Sequence, residues 1–318
     1  MYDDLRKALH EAIAKTPPDT VLFSGGIDSS VIVYEAMAAN PDVEAVTVGV
    51  ERFHNSDVEY SAHVAKALGL KNHTVRLVTD REVVQSASKA VRLLKTFNPQ
   101  WISSTVTLLL SVDAGADRVY ATGEGSDDLF GSFPFFRNWD NGRMPLERAI
   151  EARLNDISIM SERIFRHEGV RYTLPYYAPA VKRAILGIPI EERTRTTERY
   201  SSKYPLRTAY EGRLPDSCLT RPQTMAFSGS GIFAALDIAA SAIPDAEFAG
   251  ACSDLFRFSG KLEYYLFRLY AEQFDTAEFR RGDGADPCVH CRAEMPAGAV
   301  VCPRCNTFQI QHKEIRFD

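Results

Sequence analysis

The sequence predicts an α/β protein: a parallel sheet with helices on both faces, then a mainly helical half and a small cysteine-rich ribbon. Three observations predict it. Short valine-rich runs alternate with stretches of helical length as far as Thr122. Two glycine turns, Ser24-Gly25-Gly26 and Gly123-Glu124-Gly125, each follow directly on such a run. Four of the 6 cysteines stand in two Cys-x-x-Cys pairs near the C-terminus.

Leu5, Leu9, Ala12 and Ile13 share one face of a helix that should run through about Ala14, where Pro17-Pro18-Asp19 stops the chain. Val21 to Phe23 reads as a buried strand. The first glycine turn follows it, and Ser29-Ser30 open a helix through Met37. After the Asn40-Pro41-Asp42 turn, Val43 to Val50 is a second strand. Asp57 to Leu68 is a helix ended by Gly69, and His73 to Val78 is a third strand. Arg81 to Leu94 is helical, Asn98-Pro99 breaks the chain, and Ser103 to Val112 is an apolar helix. Arg118 to Thr122 is the fourth strand. From Asp140 to Glu168 the alternation ceases, with helical periodicity from Leu146 to Ile164. A Pro175-to-Tyr177 loop precedes the helix Pro179 to Leu186. Asp283 to Pro287 reads as a linker, and Phe308 to Phe317 as a last ribbon strand. Two domains are expected: 1–282, whose α/β portion spans 1–139 and whose helical portion spans 140–282, and a ribbon over 283–318.

At 318 residues the chain suits one large domain or two. A net charge of -5 and a pI near 5.9 give no general pull toward nucleic acid or anionic membranes. No apolar run approaches the ~18 residues of a membrane span, so no membrane partner is expected. The start, Met-Tyr-Asp-Asp-Leu-Arg, is acidic and unlike a signal peptide. A cytoplasmic location is expected, which suits cysteines spaced for metal rather than for disulfides.

The first turn lies in Ser24-Gly25-Gly26-Ile27-Asp28-Ser29-Ser30. Strand, glycine turn and helix start make an anion site. The glycines bring backbone N–H groups close to a ligand, and the helix adds unpaired donors and a positive dipole end. Asp28 can hold a metal ion against the same phosphate. No Gly-Lys-Ser/Thr follows, and Gly-x-Gly-x-x-Gly is absent, so neither a Walker A loop nor a dinucleotide fingerprint is present. The second turn, Gly123-Glu124-Gly125-Ser126-Asp127-Asp128, carries three carboxylates in five positions. Asp127 is expected to share Mg²⁺ with Asp28, and Glu124 to transfer a proton. With Val48 of the second strand, Ser24, Gly25, Gly26, Asp28, Ser29, Ser30, Gly123 and Gly125 form the expected nucleotide-binding set. Both turns fall at strand carboxyl ends, where open α/β sheets bind ligands. Cys288, Cys291, Cys302 and Cys305 have the spacing of a four-thiolate Zn²⁺ site, with His290 a bystander within the first pair; the alternatives are a redox pair or an iron–sulfur cluster.

Ser24 to Ser30 resembles the pyrophosphate-binding loop of the ATP-pyrophosphatase superfamily, whose sheet is of the adenine nucleotide alpha hydrolase type. This implies ATP cleaved to AMP and pyrophosphate. Gly123-Glu124-Gly125-Ser126-Asp127-Asp128-Leu129-Phe130-Gly131 resembles the second signature of the asparagine synthetase family. Asp57-Val58-Glu59-Tyr60, and Lys203-Tyr204-Pro205-Leu206-Arg207 followed by Leu214-Pro215, Arg221 and Phe227-Ser228-Gly229, extend the resemblance. It implies an AMP-forming carbon–nitrogen ligase that adenylates a carboxylate and transfers ammonia or an amine to it. Lys203 or Arg221 would then face phosphate; the alternative for Lys203 is a solvated helix position.

Three departures bear on substrate. Arg171 stands where the family has an acid, so it falls in the half expected to contact substrate. Gln223 replaces a lysine that would stabilise the leaving pyrophosphate. Tyr2 occupies the place of the cysteine nucleophile of glutamine-using members. Nitrogen is therefore expected from free ammonia, an amine or a separate glutaminase subunit. Two alternatives belong to other classes. One is a tRNA-thiolating enzyme docking RNA or a partner through the zinc ribbon, disfavoured by the acidic charge. The other is a non-catalytic nucleotide-binding homologue.

Overall fold

A computed structural model describes residues 2–133, 136, 139, 144–156, 159–224, 226–252, 258–276, 287–291, 293–295, 302 and 304. The linker Asp283 to Asp286, Cys305 and the expected strand Phe308 to Phe317 lie outside the described residues.

Helix α1 (Asp3–Lys15) precedes β1 (Thr20–Leu22), α2 (Ile27–Ala39), β2 (Glu44–Val50), α3 (Ser56–Leu68) and β3 (Asn72–Val78). Then come α4 (Asp80–Leu94), α5 (Pro99–Ser111), β4 (Val119–Ala121) and the single turn α6 (Ser126–Leu129). Helices α7 (Leu146–Asp156) and α8 (Met160–Glu168) lead to β5 (Arg171–Thr173). Eight helices follow among the described residues, α9 (Pro179–Leu186), α10 (Ile190–Arg193), α11 (Tyr204–Ala209), α12 (Asp216–Leu219), α13 (Ala226–Gly229), α14 (Ile232–Ser241), α15 (Asp245–Ala251) and α16 (Lys261–Ala271), and then an antiparallel bridge between Pro287 and Glu294.

The sheet has five strands in the order β3-β2-β1-β4-β5, every neighbouring pair parallel. β5 departs from the expected four strands. It has three residues and no apolar run, so its pairing with β4 decides its conformation, not its own sequence. The helical stretch expected from Leu146 to Ile164 is two helices, α7 and α8. α5 starts at Pro99, with Asn98 capping it by accepting from Trp101 N at 3.0 Å.

Alternation along the strands sends side chains to two faces. Val21 and Ala121 pack with α1, α2 and α9, while Leu22 and Tyr120 pack with Phe165 and Val170 on the opposite side. A further core joins Val48 and Val50 to α4, α5, α14 and α16. Chain order reverses about β1 and β4, so the crevice for a ligand opens at their carboxyl ends. Both glycine turns leave the sheet there.

Candidate active site

Each strand of this pair delivers one turn. After β1, Gly25 adopts φ +72°, and a Cβ on it would stand 2.4 Å from Ser61 N. The close packing of α3 behind the loop thus requires glycine. Ser29 Oγ accepts from Ser24 N at 3.2 Å and donates to Gly26 O at 3.3 Å, fixing the turn from within. After β4, a Cβ on Gly123 would lie 2.8 Å from that of Asp28. The two turns touch because residue 123 has no side chain.

They enclose a cavity of about 550 Å³. Ser24, Gly26, Asp28, Ser29, Val48, Gly123, Glu124, Gly125, Asp127, Lys203 and Arg221 all line it. Gly25 and Ser30 of the expected set are not in its lining, and Ser30 is fully buried.

Lys203 joins the turns. Its Nζ lies 2.6 Å from Asp28 Oδ2 and 2.8 Å from Asp127 Oδ1, at 2% side-chain exposure. The solvated alternative for this lysine is thereby excluded. Burial opposes its charge, but Asp127 and Asp28 outweigh that penalty and hold the ammonium above the usual lysine range. Its backbone is left-handed, φ 54°, a conformation that a non-glycine residue adopts at a cost of about 1 kcal/mol or more. Asp127 Oδ1 also accepts from Ser132 Oγ and Gln223 Nε2, each at 2.6 Å. Gln223 therefore reaches the carboxylate that Lys203 reaches. Asp28 Oδ1 is buried and unpartnered, which fits an Mg²⁺ ligand.

Arg221 braces the first turn from behind. It donates to Ser24 O at 2.6 Å and Asp57 Oδ1 at 2.7 Å, and lies 4.3 Å from the centre of the Tyr60 ring. Burial pushes Asp57 up to about 6, with Arg221 working against it. Asp57 lines the cavity but was legible only within a resemblance; its arginine partner is 164 residues away. A second buried pair, Asp128 with Arg153 at 2.5 Å, had no sequence signal for its partner.

Glu124 lines the cavity, yet its carboxylate caps α8. Oε1 accepts from Met160 N at 2.9 Å, and Oε2 from Ser161 N at 2.8 Å and from the Ser161 hydroxyl. It is an acid at a helix N-terminus, though of a helix other than the one its own turn begins. Burial raises its proton affinity, and the Ser161 and Met160 donors act against this.

Arg171 is corrected. It sits at the amino end of β5, opposite Val119, 62% exposed and 3.0 Å from Asp117. The site opens at the other end of the strands, so Arg171 does not line the cavity.

Cys288, Cys291 and Cys302 form a second centre. They are buried, with sulfurs within 4.8 Å of one another. His290 N and Arg304 N each donate to a cysteine sulfur, Cys288 and Cys302, at 3.4 Å. His290 stands outside this cysteine cluster; its Nε2 pairs instead with Glu263 Oε1 of α16 at 2.8 Å, tying the first turn of the ribbon to the body.

Fold and site together define an α/β protein with two touching glycine turns around a cavity at its switch point. A model of the asparagine synthase family matches residues 1–164, and the chain belongs to that family. Asparagine synthetase B of Escherichia coli is 24% identical, over 91% of this chain and 57% of that protein. A protein named as a glutamine-hydrolysing asparagine synthetase in Acanthamoeba polyphaga mimivirus is 27% identical, over 64% of this chain and 38% of its own length. Asparagine synthetase 1 of Bacillus subtilis is 28% identical, over 43% and 22%. The chain thus spans 22% to 57% of the length of these relatives. At family level this supports an ATP-dependent amide-forming ligase, and the family uses ATP and Mg²⁺. Among the described residues no helix is long and apolar enough to cross a membrane.

Proposed function

We propose that this chain adenylates a carboxylate with ATP and passes the acyl group to ammonia or an amine. The observation that carries the reading is Lys203, which gathers Asp28 of the first turn and Asp127 of the second around one ammonium in one cavity. Three segments distant in sequence converge on one cavity.

A substrate carboxylate oxygen attacks the α-phosphorus, the bond to the bridging oxygen breaks, and pyrophosphate leaves. Backbone N–H groups in the first turn of α2 donate to phosphate oxygens, and Lys203 supplies positive charge as the leaving group develops its own. Asp28, through its unpartnered oxygen, and Asp127 would hold Mg²⁺, which would neutralise phosphate charge. Ammonia or an amine then attacks the acyl carbon, AMP leaves, and the nitrogen loses a proton. Glu124, which lines the cavity, takes that proton. Cys288, Cys291 and Cys302, whose sulfurs lie within 4.8 Å of one another, would hold Zn²⁺, the spacing of Cys305 suiting the fourth thiolate.

Carboxylate-dependent exchange of pyrophosphate into ATP, without a nitrogen donor, tests the reading. Glu124→Gln should keep this exchange while amide formation falls by about a hundredfold, the usual worth of a general base. Equal loss of both would remove Glu124 from the proton transfer.

A further inference from the structure

The cysteine ribbon does not hang from the body as a separate module. Cys288, Cys291, Ala293, Met295 and Cys302 are buried in one core with Val83, Ala87, Val91 and Phe97 of the α4–α5 segment and with Leu266 and Tyr270 of α16. Its second knuckle also makes a polar contact. The Arg304 carbonyl accepts from the Thr96 hydroxyl and from Phe97 N, the latter at 3.4 Å. The same residue donates its N–H to Cys302 Sγ, so the turn that aims the sulfur also aims the carbonyl.

Thr96 and Phe97 lead straight into the cavity wall. Thr96 Oγ1 accepts from Asn98 N at 3.3 Å, and Asn98 caps α5 through Trp101 N. Asn98, Gln100, Trp101 and Ser104 line the cavity. Further along α5, Thr107 meets Ser230, whose carbonyl holds Val50 N at the end of β2. The turns before Thr107 therefore contribute their own stretch of the cavity wall. The nucleotide turns are anchored elsewhere, on β1, β4 and α3.

We propose that metal binding at the cysteine cluster sets the position of the Asn98–Ser104 wall, making the ribbon a remote brace for that side of the cavity. The proposal rests on the zinc reading above. A segment this short has little core of its own, so its knuckle turns depend on the metal. Without metal the Arg304 carbonyl loses its fixed place, Thr96 and Phe97 lose their acceptor, and the α5 cap is no longer held from outside. Thr96 is a positioning residue here; it touches no ligand.

The chain has 2 tryptophans, so in a Trp139→Phe background Trp101 reports on the wall alone. Full-length protein is assayed for zinc content, acrylamide quenching of Trp101 and affinity for Mg–ATP, before and after chelation. Zinc loss should raise the quenching constant at least about twofold, as a locally opened segment does, with Mg–ATP affinity held within about twofold. Thr96→Val should keep its zinc and raise Trp101 quenching in the same direction. Unchanged quenching after proven zinc loss would overturn the proposal, as would a parallel loss of Mg–ATP affinity, which reports general unfolding. A chain that neither carries nor takes up zinc would remove the metal reading and the brace with it, leaving the ligase reading untouched.

Discussion

Lys203 Nζ lies 2.6 Å from Asp28 Oδ2, joining a helix start in the first motif to a residue 175 positions further along the chain. The contact explains why the chain tolerates a left-handed backbone at Lys203: it places an ammonium between two carboxylates that would otherwise repel. Lys203→Met should lower the rate of AMP formation by at least about a hundredfold, the scale of losing a preorganised charge at the leaving group. It should also cost about 3–5 kcal/mol of stability, because Asp28 and Asp127 lose their buried counter-ion. Steady-state assays and denaturant unfolding measure the two effects. A stable, fully active variant would place the phosphate contact elsewhere.

Gly25 carries the second prediction. Alanine there must adopt φ +72° and put its Cβ 2.4 Å from Ser61 N, which is backbone and cannot swing aside. Gly25→Ala should cost about 3 kcal/mol through strain and overpacking and abolish the stabilisation that Mg–ATP gives in a thermal melt. A variant that still gains wild-type stabilisation from Mg–ATP would show that the loop does not hold the phosphates.

Asp57 gives a pH dependence of defined sign. Burial raises this carboxyl from 3.8 to about 6 in the folded protein. Below pH 3.8 both states hold the proton and the group is neutral in its effect. As pH rises toward 6 the folded state binds more protons than the unfolded, so Asp57 costs stability that Asp57→Asn does not lose. Between pH 4 and 7 the wild type should therefore fall by about 3 kcal/mol relative to Asp57→Asn, two pKa units at about 1.4 kcal/mol each. Paired urea titrations at several pH values check this. A flat difference would mean that Arg221 cancels the effect of burial on Asp57.

The two turns, their strands and the alternation of the first half were legible because each signal is local. A glycine needed for a close approach, a strand end and a helix start lie within a few residues of one another. Pairings across the chain were not. Nothing near Glu124 announces that its carboxylate caps a helix beginning at Met160, and nothing near His290 announces Glu263. β5 is not legible because three residues with no apolar period are a strand only by virtue of β4. Arg171 reads as a residue of the substrate half because register along a sheet edge, which puts it at the other end, is a tertiary property. Lys203 can be read two ways for the same reason: its burial comes from two carboxylates on other elements.

Which bond of ATP is cut decides the reaction class. The full chain, incubated with Mg–ATP labelled at the α-phosphate, ammonia and a panel of carboxylates that includes aspartate, should form AMP and pyrophosphate in equal amounts. Their formation should require one of the carboxylates and be lost in Lys203→Met. Formation of ADP and phosphate, or no AMP with any carboxylate, would contradict adenylation by this site.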